Sequence, residues 1–129
     1  MDARALVAVG VGGAIGAMLR YLVGSAFLQR FGPGFPWGTF FINVTGSFLI
    51  GVVAQLAFTR SFGMTPAVRA FAATGVLGGY TTFSTFSLDS VVLVGDGAAS
   101  LALAYAAGSV VSGIIAAYFG QVVARLATG

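Results

Sequence analysis

The sequence predicts an all-α integral membrane protein with four spanning helices, the third of them interrupted. Three observations carry this expectation. Of 129 residues, 58% are hydrophobic and 7% charged, against about 25% charged in soluble domains. The apolar residues fall in long uniform runs separated by short turn-forming stretches. Finally, the third run contains glycines and hydroxyl residues where a plain span would be apolar. A soluble fold of this size needs a charged exterior, and six arginines with three aspartates cannot supply one. Bilayer is the solvent.

A helical span takes roughly 20 mainly apolar residues, and four segments qualify within one domain, 1–129. The first, about 5–28, carries Arg20 near its far end. Arg20 and Tyr21 stand where a cleavable signal would need small residues, so the segment reads as a retained helix. The second, about 37–59, follows the turn residues Gly32, Pro33, Gly34 and Pro36 and carries no charge. The third, about 67–94, follows Gly63 and Pro66, and the fourth, about 97–124, is again charge-free. A transmembrane barrel would show short alternating segments instead.

Four spans put both termini on one side, together with Arg4, Arg60, Arg69 and Arg125, while Arg20 and Arg30 lie towards the other. That is a weak positive-inside bias, compatible with insertion in both orientations. Scattered arginines suit membrane-end anchors, not a nucleic-acid face. Small residues recur at spacing four (Gly12 and Gly16; Ser47 and Gly51; Ser112, Ala116 and Gly120), allowing close helix approach. Four such helices enclose little space, so a polar path between subunits of an oligomer is expected.

The polar residues inside the spans need partners. On the second segment Thr39, Asn43, Ser47, Gly51 and Gln55 form a stripe at every fourth residue. Hydroxyls often satisfy themselves on the preceding helical turn. A carboxamide cannot, so Asn43 wants a partner or a water path. The third segment holds Gly75, Gly78 and Gly79 together with Thr74, Thr81, Thr82, Ser84, Thr85 and Ser87. An unwound stretch there would leave backbone groups that must face protein, water or an ion; a continuous helix with a glycine packing face fits the same residues. Phe83 and Phe86 share a face, and a ring edge is electropositive enough to line an anion path without fixed charge. Tyr105, Ser109 and Ser112 share a face of the fourth segment. Arg20 reads as a snorkelling anchor or as an anion attractor at a vestibule, and Asp89, towards the end of the third segment, as an interfacial group or as a proton or cation site.

Enzyme signals fail. The chain has no His or Cys, its aspartates are scattered, and Ile15 stands where a dinucleotide fingerprint needs its last glycine. No organic cofactor is expected.

Three stretches then resemble the small bacterial fluoride channels of the Fluc (CrcB) family across nearly the whole chain: 12–21 (GGAIGAMLRY), 37–46 (WGTFFINVTG) and 75–87 (GVLGGYTTFSTFS). The resemblance implies a fluoride-selective channel giving passive efflux across the bacterial inner membrane, with two pores in an antiparallel, dual-topology homodimer. It implies a third helix broken at mid-membrane and a structural sodium ion on the dimer axis, held by the main-chain carbonyls of Gly78 and Thr81. By the same carry-over Asn43, Phe83, Phe86, Tyr105 and Ser109 line the fluoride path. One departure is visible: Gly113 stands where the family has a further serine, with Ser112 adjacent.

The chemistry agrees with such a pore. Fluoride is tightly hydrated, and donors of moderate strength must replace its water without trapping it. The rivals are a small multidrug-type proton-coupled exporter and a non-transporting membrane assembly subunit. The exporter depends on a membrane-embedded glutamate, and this chain has none. The assembly subunit leaves Asn43 and the third segment unexplained.

Overall fold

The computed structural model describes residues 1–59 and 62–129; Arg60, expected to share a side with Arg4, Arg69 and Arg125, lies outside the described residues. Every regular element described is helical. Helix α1 (Ala3–Phe31) starts on Asp2, whose carboxylate accepts the Arg4 N–H at 2.9 Å. It ends at Gly32, where φ is 73° and the amide returns to the Leu28 carbonyl at 2.9 Å. A non-glycine residue adopts that backbone only at a cost, so the glycine makes the turn. Helix α2 (Trp37–Phe58) follows directly.

The third segment runs in pieces. Thr65 caps α3 (Pro66–Arg69) by accepting the Val68 amide. A π-helical stretch, π1 (Ala70–Leu77), then leads into the single turn α4 (Gly78–Tyr80). Where the two meet, the Gly78 amide donates to Ala73, five residues back. Thr81 and Thr82 are extended, with ψ of 159° and 116°, and α5 (Phe83–Gly95) begins after them. The helix is broken between Tyr80 and Phe83. After a turn at Gly97, where φ is 80°, α6 (Ala99–Thr128) completes the chain.

Helices α1, α2 and α6 are each long and apolar enough to cross a membrane. At 1.5 Å per residue, the 29 residues of α1 extend about 44 Å, more than the hydrocarbon core of about 30 Å. Their outward faces carry Leu22, Ile114 and Phe119, each more than half exposed. This is the side-chain distribution of a protein solvated by lipid, with backbone polar groups satisfied inside each helix.

Two parallel helix pairs form the body, and glycine sets their spacing. A Cβ on Gly16 would overlap the Val76 carbonyl oxygen, and one on Gly12 the Phe71 carbonyl oxygen, so α1 lies directly on π1. Likewise a Cβ on Gly51 would overlap the Ala117 carbonyl, and one on Gly120 the Phe48 carbonyl, which seats α2 on α6. With no hydrophobic drive between helices in lipid, such close contact supplies the packing. Helix α5 returns antiparallel to α6, where Leu93, Ala102 and Tyr105 form a small buried cluster under Phe35, Phe40 and Phe86.

Candidate functional site

Asn43 and the break belong to one arrangement. From the second turn of α2, the Asn43 Oδ1 accepts the Thr82 N–H at 2.8 Å, and its Nδ2 donates to the Thr82 carbonyl at 3.0 Å. The carboxamide thus pairs with an extended peptide as a neighbouring strand would. Thr82 itself is buried, and its Oγ1 accepts the Thr85 amide at 3.2 Å, capping α5. On the other side of the break the Tyr80 hydroxyl meets Thr45 Oγ1 at 3.0 Å. Gly46 makes room for this: a Cβ there would overlap Thr81 Cγ2.

The two caps change the carbonyl accounting. In an unbroken helix the Thr82 amide would bond the Gly78 carbonyl and the Thr85 amide the Thr81 carbonyl. Here they go to Asn43 Oδ1 and Thr82 Oγ1. Gly78 and Thr81 therefore lose their usual helical partners, and Gly78 is exposed. Carbonyls without helical partners are oxygen donors of the kind a hard cation takes, so residues 78 and 81 are chemically compatible with the ion that the family resemblance implies.

A groove of about 440 Å³ lies against the break, lined by Asn43, Ser47, Phe83, Phe86 and Ser109, with Gly78 and Thr81 on its wall. The rings of Phe83 and Phe86 are 5.6 Å apart and tilted by 48°; Phe83 is 78% exposed, an aromatic ring held at the surface beside a polar groove. Ser109 Oγ is buried and has no hydrogen-bond partner among the described residues. A buried hydroxyl rarely goes unpaired in a finished protein.

Tyr105 and Arg20 fall elsewhere. Tyr105 is 1% exposed, lies under the Phe86 ring at 5.2 Å, and donates its hydroxyl hydrogen to Asp89 Oδ2 at 3.1 Å. It is one step behind the groove wall. Asp89, which reads from the sequence as interfacial, sits half-buried within α5. Arg20 and Asp89 both line a second cavity, of about 470 Å³, near the α1–α2 turn. Thr82 borders both cavities, so the peptide held by Asn43 stands between them. Ser112 lines neither.

Thr82 is the site residue that sequence reasoning missed. Its signal was present: a threonine just before an apolar helical run is an N-cap pattern. The π-register of residues 70–77 has no counterpart in the amino-acid pattern.

A helical, multi-pass membrane protein with a clasped break beside a groove of donors and ring edges is the class that fold and site define. The chain belongs to the CrcB family: residues 7–121 match the family described as CrcB-like protein, Camphor Resistance (CrcB). It is 52% identical over 120 residues to the fluoride-specific ion channel FluC of Rhizobium meliloti (strain 1021), covering 93% of this chain and 95% of that one. It is 50% identical over 121 residues to the protein of the same name from Nitrobacter winogradskyi, covering 94% and 95%. To that of Caulobacter vibrioides (strain NA1000 / CB15N) it is 42% identical over 120 residues, covering 93% and 94%.

Proposed function

We propose that this protein is a fluoride-selective channel that lets fluoride leave the cytoplasm passively across the bacterial inner membrane. The observation that carries the proposal is the unpartnered Ser109 hydroxyl, buried in a groove that it shares with Asn43, Phe83 and Phe86. Asn43 spends its Oδ1 and one amide hydrogen on Thr82 and keeps a second amide hydrogen to offer. Amide, hydroxyl and ring edge are donors of moderate strength, and together they replace part of a fluoride ion's hydration without a fixed cation that would trap it. Arg20 in the second cavity raises the local anion concentration at the mouth, and Tyr105 holds the Phe86 wall from behind.

The groove is open on the protomer surface, with Phe83 at its edge. In this reading a second copy, inserted in the opposite orientation, closes it, giving two pores per homodimer and four spans per subunit, the third made of the two halves either side of Thr81 and Thr82. The Gly78 and Thr81 carbonyls of both copies then hold a sodium ion, which supplies positive charge that fixes the broken helices to one another. A bacterium lacking its own fluoride exporter tests the physiological claim. Expression of this chain should restore growth in millimolar fluoride, and unchanged sensitivity with the protein present in the membrane would contradict it.

A further inference from the structure

We infer that Ser47 is a direct fluoride-coordinating residue of the conduction path, its hydroxyl lying against the bare Gly113 backbone of α6. The inference rests on the channel reading and extends it to a residue on a different helix from Tyr105 and Ser109. Ser47 lines the same groove as Asn43 and Ser109. It stands one helical turn beyond Asn43 on α2, just as Gly113 stands one turn beyond Ser109 on α6. The two turns face one another: a Cβ built on Gly113 would lie 3.4 Å from Ser47 Oγ.

Helical serines usually bond back to the carbonyl of the preceding turn, as Ser87 does to Phe83 at 3.0 Å and Ser90 to Phe86 at 2.9 Å. Among the described residues Ser47 Oγ makes no such bond, and Ser109 Oγ, on the opposite wall, makes none either. Two hydroxyls without hydrogen-bond partners among the described residues thus belong to residues lining one groove from α2 and from α6, and each can donate to a small acceptor. Fluoride, compact and an acceptor only, fits that pair. The donor wall therefore includes α2 as well as α6, with Ser47 and Asn43 on one and Ser109 on the other.

The test is fluoride efflux from liposomes containing the purified full-length protein. One hydroxyl donor is worth roughly three- to tenfold in rate, so Ser47→Ala should slow efflux by about that factor. Ser47→Ala combined with Gly113→Ser should recover most of the rate, because the new hydroxyl projects from the facing wall into the vacated space. Rescue from the opposite helix is a result that a packing role for Ser47 would not produce. Ser47→Ala at the wild-type rate, or a double variant no faster than Ser47→Ala, would overturn the inference. If Ser47→Ala does not fold, the isosteric pair Ser47→Thr and Ser47→Val decides: Thr fast with Val slow supports the role, and equal rates refute it. A wild type that leaks no faster than empty liposomes contradicts the channel reading itself, and that failure is seen separately.

Discussion

Asn43 holds the Thr82 peptide on both sides, accepting its N–H at 2.8 Å and donating to its carbonyl at 3.0 Å. One carboxamide thereby does what a strand neighbour would do, and it stabilises an extended pair of residues inside what is otherwise helix. This relationship gives the backbone groups of Thr82 the partners that the broken helix no longer supplies.

Asn43→Asp keeps the shape and removes the donor. The carboxylate would face the Thr82 carbonyl with no hydrogen to give, and would place a negative charge in an anion path. Leaving a buried acceptor unpaired costs about 1–3 kcal/mol, more beside a charge. Fluoride efflux should fall at least tenfold and thermal stability in detergent should drop. Efflux at the wild-type rate would show that the clasp is dispensable.

Phe83 offers a ring where a lipid-facing aliphatic group would serve packing equally well. Phe83→Ile keeps most of the apolar area and removes the electropositive edge. Efflux should slow severalfold while the size-exclusion profile stays that of the wild type. Unchanged efflux would make the ring a packing group.

Glycine placement gives a stability contrast within one helix. A Cβ on Gly16 overlaps the Val76 carbonyl oxygen, whereas nothing lies within 4 Å of a Cβ on Gly10. Gly16→Ala should destabilise by about 1–3 kcal/mol or more, because backbone cannot step aside as a side chain can. Gly10→Ala should be neutral, or stabilising by about 0.5–1 kcal/mol. Chemical unfolding in detergent reads both, and equal effects would refute the close approach of α1 and π1.

Much of this was readable in the amino-acid sequence, and the remainder has a physical reason. Low charge and long apolar runs announce the membrane. Gly78, Gly79, Thr81 and Thr82 weaken a helix where they cluster, which made an interruption one of two readings that the residues allowed. Asn43 visibly lacks a partner on its own helix. That the partner is the Thr82 backbone could not be read, because a main-chain peptide carries no residue-specific signal and lies 39 positions away. Tyr105 and Ser109 share a helix face, yet only Ser109 reaches the groove. Phe86 of the antiparallel α5 covers Tyr105, an arrangement set by helix crossing and invisible to periodicity.

The released carbonyls of Gly78 and Thr81 predict a sodium dependence. A ligand that binds only the folded state stabilises it by about 2.7 kcal/mol at a hundred times its dissociation constant. Replacing sodium by N-methylglucamine throughout purification should lower the thermal midpoint and slow fluoride efflux, with recovery when sodium is returned. Identical midpoints in the two cations would remove the ion from the account.

The central claim, that the groove beside the Asn43–Thr82 clasp carries fluoride, is tested most directly with purified protein in liposomes. These are loaded with potassium fluoride, and valinomycin is added to release the accompanying potassium. A fluoride electrode outside should record rapid efflux that depends on protein, while matched chloride-loaded liposomes release almost nothing. Fluoride loss no faster than from empty liposomes, from protein shown to be folded, would contradict it.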